Sequence, residues 1–516
     1  MYPGFTSGMV LFICMCLGLS TLNSALEACN ADVSLKKSLV WGPGLRADFL
    51  VPVRYIYVQL VDKKGQNITV SLGEKALTAT VQPDSGERAR IWTQVLDRHD
   101  GSYIVRFRPF VTTTDLQISL QLRGKHVAGS PYLVPGKVFH ETCYCPVRTA
   151  DEWAKSVGCQ ATYSQIDHDL GPFETIDMAK VAKEAVDRFN MAGQHSICHY
   201  KVIQNQVYRK CYGEHVGFNM FSDAILLSLT RKMELPDFEF IMNLGDWPLE
   251  NRPEGQDPIP IVSWCGSHQT RDIVLPTYDI TEATLEMMGR VSLDMFSVQA
   301  NTGPKWTNKT SKAFWRGRDS RRERLKLVQM SKSYPAELDA KLTNMFFFPK
   351  DEEKYGAISK HVSFFDFFAY KYQINIDGTV AAYRLPYLLA GDSLVMKQDS
   401  SYYEHFYRDL EPGMHYVPFK HDISDLMDQI KWVRENDQEV QQISQNGQQF
   451  AREKLDPAQV LCYHVRVFQE YAKRSKAKPK GIEGFDLVEQ PTERFPCPCP
   501  KKEKSQEKES GNRDEL

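Results

Sequence analysis

Past Leu19 the sequence has no apolar run approaching the roughly 20 residues that a membrane-crossing helix needs, so no segment of the chain's body argues for membrane insertion. Net charge is nearly absent as well, with 63 Lys and Arg against 65 Asp and Glu. That balance disfavours nucleic acid or a polybasic membrane contact as a partner. The close cysteine pairs, Cys143-Tyr-Cys145 and Cys497-Pro-Cys499, lack the two-residue spacer of zinc knuckles, which disfavours metal binding. Even the first residues lack a usual feature, since no Lys or Arg precedes the apolar run Met9 to Leu19.

That run is too short to span a bilayer and reads as a signal peptide over residues 1–28, with cleavage points near Ser24, Ala25 and Ala28 and a signal anchor as the alternative. At the other end, Arg513-Asp-Glu-Leu516 has the form of an endoplasmic reticulum retrieval tetrapeptide, with Arg where Lys or His is usual. The stretch Lys501 to Asn512 is nearly all charged or small polar residues, so residues 479–516 are expected to form a flexible tether for that signal. A soluble protein of the endoplasmic reticulum lumen, recognised by a retrieval receptor, is the resulting expectation. Twelve cysteines less Cys14 and Cys16 of the leader leave ten: Cys29, Cys143, Cys145, Cys159, Cys198, Cys211, Cys265, Cys462, Cys497 and Cys499. In an oxidising compartment these predict structural disulfides. Asn67-Ile-Thr and Asn308-Lys-Thr are glycosylation sequons.

The length of 516 residues exceeds what one core usually serves. From Ser38 to about Val138 the pattern is short alternating strands: Tyr55 to Val61, Ala79 to Val81, Ile91 to Val95, Tyr103 to Phe107 and Leu116 to Leu122, separated by turn signals such as Lys64-Gly65 and Asp100-Gly101. This predicts an antiparallel sandwich over residues 29–139, with no catalytic constellation in it. Beyond Cys159 the pattern changes. Helical spacing at Ile176 to Met191, Phe221 to Thr230, Asp422 to Asn436 and Pro457 to Lys473 alternates with strand-like runs at Phe238 to Leu244, Ile259 to Trp264 and Gly391 to Met396. Residues 140–478 are therefore expected to be an α/β domain on a largely parallel sheet, large enough for paired Rossmann-like lobes with a cleft between them.

Two regions carry candidate chemistry. Asn243-Leu-Gly-Asp-Trp-Pro-Leu249 follows the predicted strand Phe238 to Met242, and ligands of open α/β sheets sit beyond the carboxyl ends of strands. Asp246 is thus a candidate general base, against the alternative that it merely caps a turn. The stretches Ala313 to Arg322 and Tyr370 to Arg384 place arginine beside small residues near strand ends, where guanidinium and backbone amides can bind phosphate. Arg316 and Arg384 are the preferred pair, while Arg318, Arg321 and Arg322 read as solvated or paired with Asp319 and Glu323. Asp167-His168-Asp169 has the form used by metal-dependent transferases but lacks a preceding apolar strand, and reads as a surface feature.

The motifs Leu39-Val-Trp-Gly-Pro-Gly-Leu45, Asp100-Gly-Ser-Tyr103 and His126-Val-Ala-Gly-Ser-Pro-Tyr132 resemble a filamin-type immunoglobulin repeat. Asn243-Leu-Gly-Asp-Trp-Pro, Trp315-Arg-Gly-Arg318, Tyr372 to Arg384, Tyr402-Tyr-Glu-His-Phe-Tyr407 and His415-Tyr-Val-Pro418 resemble glycosyltransferase family 90, over about Cys143 to Lys473. The combination is similar to the endoplasmic reticulum protein O-glucosyltransferases. The resemblance implies a GT-B fold and an inverting, metal-independent transfer from UDP-glucose to serine in EGF-like repeats, such as those of Notch-type receptors and fibrillins. It assigns catalysis to Asp246 and donor binding to Arg316, Gly317, Thr379, Val380, Ala381, Ala382, Tyr383 and Arg384, with Glu404 at the ribose. It also implies that Cys462 pairs with Cys143 or Cys145. UDP-xylose as donor, or a non-enzymatic chaperone for EGF-like modules, are the alternatives.

Overall fold

The computed structural model describes residues 33–499 apart from 192, 194, 252–256, 288–292, 493, 494 and 496. The segments read as signal peptide and retrieval signal, and Cys29, lie outside the described residues. Among the described residues no helix is long and apolar enough to cross a membrane.

The N-terminal unit packs two antiparallel sheets. One orders Leu39–Trp41, Arg54–Gln59, Ser102–Pro109 and Ile91–Asp97; the other sets Thr113–Leu122 between Leu77–Pro83 and Tyr132–Val138. Strand alternation explains the sandwich: Leu116, Ile118, Leu120 and Leu122 share one face and join Ile56, Val58, Val105 and Phe107 in a common core. The turn motif Asp100-Gly101 is required sterically, because Gly101 has a positive φ of 83° and a Cβ there would lie 2.1 Å from the Ile68 carbonyl.

Two further cores build the α/β part. The first surrounds a mixed sheet in the order Ile273–Val274, Ile261–Ser263, Phe238–Asn243, Ile197–Ile203, Gln206–Tyr212 and Asp486–Leu487. Its first three strands are parallel, but Ile197–Ile203 and Gln206–Tyr212 form an antiparallel hairpin. The turn of that hairpin is Gln204-Asn205, both at positive φ, with the Asn205 amide bonded to the Thr230 carbonyl and the Leu235 amide. The second core surrounds a wholly parallel sheet in the order Leu338–Asn344, Thr310–Arg318, Tyr370–Asn375, Leu394–Gln398 and Val417–Phe419. Numbered along the chain that order is 2-1-3-4-5, which reverses direction beside Thr310–Arg318 and opens a crevice at the carboxyl ends of the flanking strands.

The last long helix, Pro457–Arg474, leaves the second lobe and seats on the first lobe's core through Leu461, Val465, Phe468 and Tyr471. Its anchor corrects the expected disulfide pairing: Cys462 bonds Cys159, while Cys143 and Cys145 bond Cys497 and Cys499. The resemblance misassigned these partners because the chain continues past the helix. Past Lys480 the described residues run back along the first lobe, adding Asp486–Leu487 to the sheet beside Gln206–Tyr212. The flexible tether expected from residue 479 is corrected accordingly, since two disulfides and a strand hold the chain as far as Cys499. A fourth disulfide, Cys198–Cys211, staples directly opposed residues of the hairpin, and Cys265 is a buried free thiol. Both sequon asparagines, Asn67 and Asn308, are exposed.

Glu141 locks the junction between sandwich and α/β domain. Its carboxylate accepts from the Lys232 ammonium at 2.7 Å and from Arg231 at 3.0 Å, at the end of helix Asn219–Lys232. Burial favours the neutral acid, but Lys232 and Arg231 outweigh it and bring the Glu141 pKa down to about 2. Glu141→Gln would strand two cations in a nearly dry site. We expect it to destabilise the fold by about 3–5 kcal/mol, read as a lowered urea midpoint; an unchanged midpoint would show that water replaces the carboxylate.

Candidate active site

One cleft of about 630 Å³ lies at the crevice of the parallel sheet and is lined from both lobes. Asp246 and Tyr278 reach it from the first lobe, and Arg316, Gly317, Arg318, Arg324 and the run Gly378 to Arg384 from the second. The structure thus gathers Asp246, Arg316, Gly317, Thr379, Val380, Ala381, Ala382, Tyr383 and Arg384 around one space. Glu404 is the predicted site residue it does not bring to the cleft wall. That carboxyl is fully buried, with Oε1 accepting from the Tyr407 hydroxyl at 3.2 Å and Oε2 without a partner.

The Asp246 loop is shaped by its neighbour. Asn243, at the end of strand Phe238–Asn243, donates to the Trp247 carbonyl at 2.7 Å and to Ser263 Oγ at 3.0 Å, and accepts from the Gly245 amide at 2.9 Å. Asn243 therefore supplies the side-chain hydrogen bonds of the turn, and the Asp246 carboxylate points to the cleft. Its partner is the Tyr278 hydroxyl, at a long 3.4 Å. Burial raises the Asp246 pKa above the ordinary carboxylate range, with the Tyr278 hydrogen bond pulling partly the other way. Asp279, on the same helix Tyr278–Leu285, is pushed up to about 6 by burial and by Glu282.

The opposite wall is cationic. Arg316, on strand Thr310–Arg318, is held by Asp339 at 2.9 Å and lies over the Phe314 ring, yet its buried Nε has no hydrogen-bond partner. Arg384 donates to the Arg316 carbonyl at 2.6 Å, and burial lowers its pKa to about 10, so it stays charged near neutrality. Arg324 is buried and spends its donors on the carbonyls of Asp377, Ile376 and Arg318. Burial and then Arg384 bring its pKa down to about 9. Among the described residues, neither Arg324 nor Arg384 has a carboxylate at ion-pair distance. Gly317 is dictated by packing, because a Cβ there would lie 2.5 Å from the Trp315 ring.

Two expectations about this region change. Arg318 is exposed, as a solvated side chain should be, and also lines the cleft, whereas Arg321 bonds the carbonyls of Gly378 and Thr379 and lies over the Tyr402 ring, so neither pairs with Asp319. Asp319 is unavailable because it is fully buried and accepts the amides of Phe346, Phe347 and Phe348. Asp169 likewise is no surface feature: it sits buried in helix Ser164–Leu170 and accepts from Gln165 and the Val274 amide, bracing the first sheet's edge. Sequence reasoning missed Tyr278, Asp279 and Arg324. Tyr278 and Asp279 start a helix with no motif to mark them, and Arg324 lies one turn into helix Arg322–Ser333, where a charged side chain reads as solvated.

Comparison with known proteins fits this geometry. The model of Glycosyl transferase family 90 matches residues 154–514, and that of the Filamin/ABP280 repeat matches residues 32–133. Protein O-glucosyltransferase 2 of Danio rerio is 54% identical over 91% of this chain and 94% of its own. Protein O-glucosyltransferase 3 of Homo sapiens is 49% identical over 92% and 94%, respectively. The human Protein O-glucosyltransferase 1 is 29% identical over 65% of this chain and 86% of its own.

Tyr278→Phe tests the polarity of the Asp246 site. Loss of the hydroxyl removes the hydrogen bond that favours the ionised carboxylate, so the Asp246 pKa rises further. Were Asp246 the base, it would work only when ionised, activity would fade as pH falls through that pKa, and the acid limb of the pH–rate profile is expected to move to higher pH in the variant. A limb that stays in place would uncouple Tyr278 from the titrating group.

Proposed function

Because this chain belongs to glycosyl transferase family 90, we propose that its cleft transfers glucose from UDP-glucose to a serine hydroxyl of a folded EGF-like repeat, with inversion. The observation that carries the reading is the pair of arginines, Arg324 and Arg384, set into the cleft wall with no carboxylate among the described residues at ion-pair distance. A desolvated cation needs a compensating anion. A nucleoside diphosphate supplies one, and it takes on additional charge as the glycosyl bond breaks.

In the proposed step Asp246 accepts the serine proton as the serine oxygen bonds to the anomeric carbon. The bond from that carbon to the β-phosphate oxygen breaks, and Arg316 and Arg384 stabilise the departing UDP. Residues Gly317 and Thr379 to Tyr383 leave backbone within reach of the diphosphate, since most of their side chains are small. Glu404, fully buried and absent from the cleft wall, is left out of the proposed donor contacts. The fold reading that accompanies this is GT-B, with the parallel second sheet as the donor lobe and the mixed first sheet carrying the base. Four disulfides agree with an oxidising compartment, and we assign the protein to the endoplasmic reticulum lumen.

Intact mass of a disulfide-folded EGF-like repeat after incubation with the protein and UDP-glucose is expected to rise by one hexose. A pentose transferred preferentially from UDP-xylose would change the sugar, and no transfer from either donor would leave only a binding role. Asp246→Asn is expected to lower turnover by roughly 10²–10⁴-fold while UDP affinity is retained. Turnover near the parent value would remove Asp246 as the base.

A further inference from the structure

Strand Leu338–Asn344 of the second lobe is followed, after Met345, by three consecutive phenylalanines, Phe346, Phe347 and Phe348, and only the third packs inward, against the second lobe's core. Phe346 and Phe347 are 63% and 60% exposed. Isolated exposed apolar residues need no explanation, but these two are held in place. Asp319, fully buried, accepts the Phe346 amide on Oδ1 at 2.8 Å, and the Phe347 and Phe348 amides on Oδ2 at 2.9 and 2.8 Å. Charge-assisted bonds of this kind are stronger than neutral ones, and three of them immobilise the loop. A buried carboxylate is thereby committed to displaying two aromatic rings to solvent.

The display adjoins the cleft. Arg318 and Thr343 line the cleft, and the Arg318 guanidinium lies 5.4 Å from the centre of the Phe346 ring. Across the opening, on the first lobe, Trp247 follows Asp246 directly and is 51% exposed, with its ring against Tyr402. A serine hydroxyl offers almost nothing to recognise, so a protein acceptor has to be gripped outside the sugar-nucleotide pocket. Rigid aromatic side chains are the residues that anchor such contacts, because little conformational entropy is lost when they bind. Small disulfide-stapled modules cannot bury all their apolar side chains and so present complementary surface.

We propose that Phe346 and Phe347, fixed by Asp319, form an acceptor-docking ledge that grips an apolar face of the folded repeat while its serine reaches Asp246. This rests on the transfer reading given above. The ledge makes Phe346 and Phe347 specificity-determining residues and Asp319 a positioning residue.

The test compares the parent protein with the double variant Phe346→Ser, Phe347→Ser, using a disulfide-folded EGF-like repeat and UDP-glucose. Both changes are at exposed positions, so the fold should be kept, which an unchanged thermal midpoint would verify. The expected result is a rise of about tenfold or more in the acceptor KM, with kcat, donor KM and acceptor-free UDP-glucose hydrolysis unchanged. Asp319→Asn, which keeps both rings but weakens their mounting, should move the acceptor KM in the same direction, and Phe346→Tyr with Phe347→Tyr should restore it. An acceptor KM within twofold of the parent in the Ser variant would overturn the ledge while leaving the transfer reading intact. If the parent itself glucosylates no folded repeat, the transfer reading fails first and the ledge falls with it.

Discussion

The cleft depends on one constraint, the return of helix Pro457–Arg474 from the second lobe to the first. The lobes also touch where Gly266–Ser267 pairs with Tyr402–Tyr403 and where Tyr387 donates to the Asp279 carbonyl, but these contacts are small. The helix adds a larger tie in three ways. Its apolar face is buried in the first lobe's core, Tyr463 and Tyr471 donate to the carbonyls of Val274 and Pro260, and Cys462 is bonded to Cys159. The sheet edge that receives these contacts, Ile261–Ser263 and Ile273–Val274, lies directly beside the strand that delivers Asp246. Lobe closure and placement of the carboxylate are thus governed by the same packing.

The sandwich takes part in this frame. Tyr55, Leu96 and Ile104 belong to the first lobe's core, and Tyr55 supports Asp456, the residue that caps the returning helix through the Gln459 amide. Arg106, almost fully buried, binds both oxygens of Asp294 at 3.1 Å, and Arg108 binds Glu286 at 3.0 Å. These carboxylates bracket the segment that follows helix Tyr278–Leu285, whose first two residues face the cleft. Asp294 also caps helix Met295–Gln299, which packs with Leu385 and Leu388 behind the arginine loop. A repeat type often used as a binding module here acts as a wall behind the site, because it shares core with the enzyme domain instead of hanging from a linker.

Much of this was legible in the sequence where the signal was local. The sandwich strands and the helices Met178–Phe189, Asn219–Lys232, Leu426–Glu435 and Pro457–Arg474 follow from periodicity, and the cleft residues from strand ends followed by small residues. What escaped was decided by distant partners. The hairpin Ile197–Ile203 and Gln206–Tyr212 turns on Gln204-Asn205, which carries no glycine, and its geometry is stabilised by Thr230 and Leu235 from elsewhere. The chain past Lys480 reads as polar tail, yet Asp486–Leu487 pairs with the sheet and Cys497 and Cys499 are disulfide-bonded. Asp319 reads as a surface partner for the arginines around it, and nothing in the sequence marks Arg324. In the fold Arg324 caps carbonyls under the cleft while Asp319 collects the amides of Phe346, Phe347 and Phe348. Burial, which sequence composition does not specify residue by residue, decides both.

The electrostatics of the cleft follow from this division of labour. The first lobe contributes carboxyl groups whose pKa values are raised by burial, Asp246 and Asp279, and the second contributes guanidinium groups whose pKa values are lowered by it. Each wall is destabilised by desolvation of its own charge. Salt bridges across the opening would relieve both, but they would also neutralise Asp246 and occupy the arginines. The fold avoids this by giving the cations carbonyl partners, as with Arg384 on Arg316 and Arg324 on Asp377, and by giving Asp246 only the weak Tyr278 hydroxyl. Carbonyls orient a guanidinium without cancelling its charge, so the arginines stay available to an incoming anion. A long, single hydrogen bond orients Asp246 without suppressing its basicity.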